Sequence, residues 1–222
     1  MKSKVAPAQN RPAVPPAPNA CAKRCWWAPS DDALYVDYHD REWGFPVADD
    51  RRLFEKLCLE GFQAGLSWRT ILGKRPAFRA GFANFDYERV ARFTTRDIER
   101  LVGDAGIVRH RGKIESVRNN ALRAREIVQE NGSLAAYLWR FEPQPAHRPR
   151  QITRETLAAS PLPEEAVALS KNLKRRGFTF VGPTTVYAFM QAMGLVNDHV
   201  DDCDTRKHAE AARRAFARPG TA

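Results

Sequence analysis

Along most of the chain apolar residues recur three and four positions apart, the spacing of a helix that turns one face to a core. In "DDRRLFEKLCLEGF" (49–62) Leu53, Leu57 and Cys58 share a face, and acids occupy the first turn, where the helix dipole favours them. "TTRDIERLV" (94–102) opens with Thr94 and Asp97 at capping-box spacing. From His110 to Asn131 the series Ile114, Val117, Ala121, Ala124, Val128 predicts a long helix, with Gly132 as its C-cap. "SPLPEEAVALSKNLKRRG" (160–177) has prolines at its start, Ala166, Leu169 and Leu173 inside, and Gly177 as a stop. A further helix covers about 184–193, and the proline-rich "RFEPQPAHRPRQIT" (140–153) separates two helical groups. Alternating strand patterns are few and no repeat is found, so the expected class is all-α.

Length and composition narrow the picture. A chain of 222 residues suits one large domain, or one with a small annex. The first 24 residues are rich in Pro and Ala, carry five basic residues and no acid, and read as a disordered basic extension. They lack the apolar run of a secretory leader, and no stretch is long enough to span a bilayer, which predicts a cytoplasmic protein. The cysteines, Cys21, Cys25, Cys58 and Cys203, then suit core thiols or metal ligands better than a disulfide framework. The net charge of +10 is concentrated at the ends: 204–222 reads as a second, polar basic tail, with five bases against two acids. Within the body, 31–60 holds nine acids against four bases, while basic residues gather near 109–125 and 171–176. A localised basic face suits an anionic partner such as nucleic acid, and a solvated helix surface is the alternative.

Between the last two predicted helices lies "RGFTFVGPTTVYAFMQAMG" (176–194). Gly177 and Gly182 allow a tight turn, Phe178, Phe180 and Val181 would pin it to the core, and Pro183, Thr184 and Thr185 open the next helix. The unpaired N–H groups of that helix start, with Lys174, Arg175 and Arg176 alongside, could receive a phosphate oxygen. The pattern is similar to a helix-hairpin-helix element at about 164–193, which holds the DNA backbone without reading sequence. In glycosylases built on that element a catalytic aspartate follows the second helix; here Asn197 falls near that place and Asp198 is one position off. Just beyond, His199 and Cys203 stand four residues apart, as two ligands of a metal or as a histidine and a free thiol.

Four stretches make the likeness specific: "RCWWAPSDDALYVDYHDREWG" (24–44), "LFEKLCLEGFQAGLSW" (53–68), "DAGIVRHRGKIESVRNNA" (104–121) and "KRRGFTFVGPTTVYAFMQAMGLVNDHV" (174–200). In this order they closely resemble the DNA-3-methyladenine glycosylase I family, over about 25–203. The resemblance implies a monofunctional enzyme that hydrolyses the N-glycosidic bond of 3-methyladenine in double-stranded DNA. It implies a structural zinc ion held by Cys25, His39, His199 and Cys203, joining the N- and C-terminal regions; Cys21 and His208 lie near in sequence but outside the matched motifs.

The resemblance also implies a base pocket. Glu60 would contact the adenine edge, with recognition as its first role and catalysis as a second. Tyr38 and Trp68 match pocket aromatics, and Trp27, Tyr35 and Trp43 lie in the same matched stretch as further walls, with core packing as the alternative. "RCWWA" leaves open whether Trp26 or Trp27 faces the pocket. Lys174, Arg176, Gly177, Gly182, Thr184 and Thr185 would contact DNA, and Arg109, Arg111 and Lys113 of "RHRGK" could do so. No heptad or large apolar stripe is present, which predicts a monomer. Two other readings stay open: a helix-hairpin-helix DNA-binding module without catalysis, and a glycosylase preferring another alkylated base such as 3-methylguanine.

Overall fold

Ten consecutive residues from Leu53 to Phe62 are buried, charged ones included, so one helix is enclosed on every side. A helix with a single apolar face cannot be placed so deeply, and the residues around Leu53, Leu57 and Cys58 accordingly pack in all directions. The computed structural model of the protein describes residues 23–220. Its helices are α1 (Ala33–Arg41), α2 (Asp50–Gln63), α3 (Trp68–Gly81), α4 (Tyr87–Val90), α5 (Thr95–Gly103) and α6 (Arg111–Asn131). They continue with α7 (Leu134–Leu138), α8 (Arg154–Ala159), α9 (Glu164–Arg175), α10 (Pro183–Ala192) and α11 (Asp204–Ala215). Among the described residues there is no strand, as the all-α expectation requires. The extension at 1–22, Cys21 included, lies outside the described residues.

Helix α2 is the buried centre, against which α3, α6, α7 and α10 pack. Leu53, Phe54, Leu57, Leu59 and Phe62 are fully buried, each contributing about 1.5–3 kcal/mol relative to exposure. Asp50 caps α7 by accepting the N–H groups of Leu134 and Ala135 at 2.9 and 2.8 Å. Lys113 of α6 donates its ammonium to the carbonyls of Phe62 and Ala64 at the other end of α2. Cations are favoured there by the helix dipole. Lys113 is therefore buried, not a free basic residue of the "RHRGK" cluster, and Arg111 is paired with Glu99 at 2.7 Å.

The local signals place several helix ends as expected. Thr94 and Asp97 form the capping box of α5, His110 caps α6, and Gly132 ends it with φ +80°. The C-terminal segment departs from the tail reading. Residues 204–215 are α11, with Thr205, Ala209 and Ala212 buried and Phe45 packed against the two alanines. Arg213 and Arg218 both reach Glu142, at 2.7 and 2.9 Å, and Arg213 also donates to the Gly194 carbonyl. The apolar signal of α11 is carried by small alanines, which is why the polar residues dominate its sequence.

The segment 43–47 crosses the end of α10, and this crossing positions the site described below. The Gly44 N–H donates to Gln191 O at 3.1 Å and the Val47 N–H to Met193 O at 3.3 Å. Gly194, just past α10, has φ +73°, and a Cβ there would stand 2.4 Å from the Phe45 carbonyl carbon and 2.5 Å from Pro46 N. Both contacts are with backbone, which cannot swing aside. Gly194→Ala is expected to lower unfolding free energy by more than about 2 kcal/mol, read from the urea midpoint of the two proteins. An unchanged midpoint would show that the crossing tolerates displacement.

Candidate functional site

The N-terminal quarter of the chain and the end of α10 meet around a cavity of about 540 Å³. Its aromatic lining comes from the segment before α1 (Trp26, Trp27), from α1 itself (Tyr35, Tyr38), from Trp43 and from Trp68 at the start of α3. Trp27 is packed among these rings, 4.8 Å from Trp43, 5.9 Å from Tyr35 and 5.1 Å from the His39 ring, centroid to centroid. Trp26 is 48% exposed, with the Arg154 guanidinium 5.8 Å above it at the rim. Both indoles line the cavity, Trp27 as a packed wall and Trp26 as an outer one. Tyr38 and Trp68 stand 5.4 Å apart and are tilted by 43°. The indole N–H of Trp68 is buried and has no partner among the described residues.

Glu60 brings a carboxylate to this aromatic lining. It is 5% exposed, and its Oε1 is 3.5 Å from Nζ of Lys56, one turn earlier on α2. Burial raises the Glu60 carboxyl above the usual carboxylate range, and the Lys56 charge partly offsets that. Lys56 donates to the Tyr38 hydroxyl at 2.5 Å. Burial pushes that phenol well above its ordinary value, so it is present as the neutral O–H. The opposite wall carries Asp198, 1% exposed, which accepts from Tyr187 Oη at 2.5 Å, from Gln191 Nε2 at 2.8 Å and from Arg148. Asn197 turns the other way, its amide donating to Glu210 at 2.8 Å and to the Arg206 carbonyl. Of the two, the carboxylate one position on is the residue at the cavity.

Behind Trp27 and Trp43 lies a Cys/His cluster. Cys25, His39, His199 and Cys203 are all buried, and one donor atom of each lies within 4.8 Å of the others. Nε2 of His39 and Nδ1 of His199 are 3.2 Å apart, and Cys203 Sγ is 3.6 Å from each. Cys25 Sγ is 3.6 Å from His199 Nδ1. The remaining ring nitrogens are engaged elsewhere: His39 Nδ1 with Asp40 at 2.7 Å and His199 Nε2 with the Trp43 carbonyl at 2.9 Å. Asp40 is in turn held by Arg24. Each imidazole thus aims its other nitrogen inward, the arrangement that outer hydrogen bonds impose on metal-binding histidines. These four residues could hold a metal ion; Cys58 and His208 are not among them.

The turn between α9 and α10 brings together some of the residues expected to meet DNA. Gly177 has φ +83°, whereas Gly182 is extended (φ −61°) and serves as N-cap of α10 without a side-chain cap. Thr184 and Thr185 are in the first turn of α10 and Lys174 is exposed. Asn120 of α6 clasps Thr179, donating to its carbonyl and accepting its N–H at 3.0 and 2.9 Å. Arg176 points back instead, pairing with Glu130 at 2.7 Å and lying 5.1 Å over the Tyr137 ring. Phe178 and Val181 are buried, but Phe180, with φ +56°, is 38% exposed and does not pin the turn as its apolar character suggested. Sequence reasoning passed over Lys56, Arg148, Arg154, Tyr187 and Gln191. Of these, only Tyr187 and Gln191 carry a local signal, their four-residue spacing on one face of α10.

Residues 27–207 match the family model for methyladenine glycosylase. The chain is 50% identical over 182 residues to DNA-3-methyladenine glycosylase 1 of Escherichia coli (strain K12), covering 82% of this chain and 95% of that one. A crystal structure of a 3-methyladenine DNA glycosylase I superposes with a TM-score of 0.76 at 46% identity, covering 82% of this chain and 98% of the other. The Staphylococcus aureus enzyme, whose structure concerns 3-methyladenine recognition, gives a TM-score of 0.73 at 39% identity, covering 80% and 93%. The chain belongs to the methyladenine glycosylase family.

The Asp198 cluster offers a test of how the cavity wall is held. Arg148 belongs to the irregular 140–153 connection and is the one cation paired with Asp198 among the described residues. Removing one member of a buried pair leaves the other charge uncompensated. Arg148→Ala is expected to cost about 3 kcal/mol in chemical denaturation. A loss below about 1 kcal/mol would show that Tyr187 and Gln191 suffice, since each hydrogen bond to a charged group is worth about 1.5–3 kcal/mol.

Proposed function

We propose that this member of the methyladenine glycosylase family excises 3-methyladenine from alkylated double-stranded DNA by hydrolysing the N-glycosidic bond. The observation that carries the reading is a buried carboxylate, Glu60, set into a cavity walled by aromatic rings. A duplex hides its bases, so the damaged nucleotide must be turned out of the stack to enter such a cavity. Alkylation at N3 leaves the base positively charged while it is joined to the sugar. Tyr38 and Trp68 supply ring faces for a flat cation, with Trp27, Tyr35 and Trp43 closing the walls. Glu60 accepts the exocyclic amine proton of the adenine edge, an acceptor that guanine derivatives do not match. The departing base takes the bonding electron pair and needs no proton, which is why the pocket requires little acid chemistry.

The Cys/His group is read as a structural zinc site. For a tetrahedral zinc with Zn–S of about 2.3 Å and Zn–N of about 2.05 Å, donor separations should be roughly 3.3 Å for N···N and 3.6 Å for S···N. The separations of 3.2 and 3.6 Å agree with those values. Cys25, His39, His199 and Cys203 would complete the shell, so the ion would supply structure and no chemistry. Its use is to hold the segment before α1, and with it Trp27 and Tyr38, against the segment after α10. DNA is read as lying along the α9–α10 turn, a helix-hairpin-helix element. There Gly177 and Gly182 let the backbone approach, the first turn of α10 with Thr184 and Thr185 receives a phosphate, and Lys174 and Arg176 add charge. Arg176 would exchange Glu130 for phosphate on binding. Among the described residues no helix is long and apolar enough to cross a membrane.

Incubation with methylated duplex DNA, followed by chromatography of the released bases, tests the reading. The wild type should release 3-methyladenine, and Glu60→Gln should lower the single-turnover rate roughly 100-fold, the scale of a lost electrostatic contact in a dry site. No release by folded, metal-loaded protein would sink the excision reading. Elemental analysis should find one zinc per chain. Cys203→Ser should lose it and melt at a lower temperature, because metal binding to such a set is coupled to folding. A variant that keeps both the zinc and the melting temperature would remove Cys203 from the ligand set.

A further inference from the structure

Lys56 has no role in the reading above, although its ammonium lies against two of the pocket rings. It is 2% exposed and does not itself line the cavity. Its Nζ lies 3.7 Å from the centre of the Trp68 ring and 4.3 Å from that of Tyr38, so the ammonium reaches the aromatic wall from behind. From α2 it faces Glu60 at 3.5 Å, and from α1 the Tyr38 hydroxyl at 2.5 Å. Glu42, just after α1, and Arg75 of α3 act on it from further off; they pair with each other at 2.7 Å, and Arg75 also meets Glu55 at 2.7 Å. Lys56 and Glu60 therefore balance each other. A pocket built only to attract a cation would leave Glu60 unopposed and the ring faces free. This one carries a resident cation that cancels the carboxylate and uses the same rings.

We propose that Lys56 is a specificity-determining residue that sets the pocket against positive charge on the base, weakening capture of the cationic nucleotide and favouring departure of the neutral base. The inference rests on the proposed excision. In that reaction the C1′–N9 bond breaks and its electron pair passes to the base, which becomes neutral. The positive charge moves to the sugar at C1′, water adds there through its oxygen, and one water proton leaves to solvent. The sugar stays tethered to the DNA backbone outside the cavity, while Lys56 lies behind the cavity wall. Charge passing from base to sugar thus moves away from the ammonium. Across one ring, at an effective dielectric constant of about 20, this repulsion is worth on the order of a tenfold change or more.

The same residue makes the preference depend on pH. Burial lowers the ammonium to about 8, with Glu60 opposing the shift. Burial raises Tyr38 well above its ordinary range, and Glu42 and Glu55 hold Arg75 charged, so neither changes state in that region. As the pH rises through about 8 Lys56 gives up its proton, and the positive charge behind the ring wall is lost.

The test compares two probes, free 3-methyladenine as the neutral base and 3,9-dimethyladeninium as a fixed cation. Both are titrated into metal-loaded wild type and Lys56→Met at about pH 7 and about pH 9, on either side of the lysine transition. Lys56→Met should bind the cation about tenfold tighter and the neutral base within about threefold, and in excision assays kcat and KM should both fall, the sign of lost ground-state repulsion. Raising the pH should give the wild type the same selective gain for the cation and give the variant none. Equal shifts for both probes, an unchanged kcat, or a pH gain that persists in the variant would overturn the proposal. Should Lys56→Met fail to fold, the two-probe pH comparison on the wild type decides alone, and the absence of a selective gain overturns it. A wild type that releases no base and binds neither probe would overturn the excision reading itself, a result distinct from loss of charge selectivity.

Discussion

Because Leu53–Phe62 of α2 is enclosed on every side, each charged group in that stretch must be answered by a partner, and those answers build the site. Glu55 meets Arg75 and Arg79 of α3, at 2.7 and 2.9 Å. Lys56 meets Tyr38 of α1, and Glu60 meets Lys56. At one end Asp50 caps α7, and at the other Lys113 of α6 answers the last carbonyls. Burying an unpaired charge costs far more than any of these contacts returns, so the neighbours are held in register by the penalty for leaving their partners exposed to a dry interior. The orientation of Tyr38 and the depth of Glu60 follow from that constraint.

A second constraint acts from the other side of the cavity. The Cys/His cluster joins residues 25 and 39 to residues 199 and 203, closing a loop of nearly the whole folded chain. Its histidines are oriented by Asp40 and by the Trp43 carbonyl, and Trp43 is itself a wall of the cavity. Gly194 lets the 43–47 segment cross the end of α10 at backbone contact, which sets His199 beside Trp43 with their rings 4.7 Å apart. The clip and the aromatic wall are thus one piece of packing. Displacing Tyr38 would disturb His39 next to it in the chain, and the reverse holds too.

The parts legible in the sequence were those decided within one helical turn or by a dense local motif. The capping box of Thr94 and Asp97 and the Gly132 stop are local, and both ends fell where the pattern placed them. The six residues expected to form the base pocket, Trp27, Tyr35, Tyr38, Trp43, Glu60 and Trp68, line one cavity because they sit in two matched stretches whose packing is shared. What was not legible depended on distant partners. A lysine in "LFEKLCLEG" reads as a solvated face until Tyr38 and Trp68 arrive to cover it. The difference between Asn197 and Asp198 is a single step after Gly194, and it is decided by α11, whose Glu210 draws Asn197 away. That helix was itself hidden, since its buried apolar residues are alanines in a stretch where eight of twelve positions are polar.

The fate of Asp198 bears on how much catalytic equipment such a cavity needs. Its carboxylate faces the cavity yet already accepts hydrogen bonds from Tyr187, Gln191 and Arg148, which leaves little capacity for deprotonating water. Paired with Arg148, it also contributes little net field at the cavity mouth. For an ordinary nucleoside this would be a poor site, because a neutral purine leaves with difficulty. For a base that already carries positive charge the leaving group is supplied by the damage, and the protein's task shifts from acid–base chemistry to selection and holding. A cavity with wide ring faces and two buried carboxylates, Glu60 and Asp198, each already engaged by a cation, suits that division of labour.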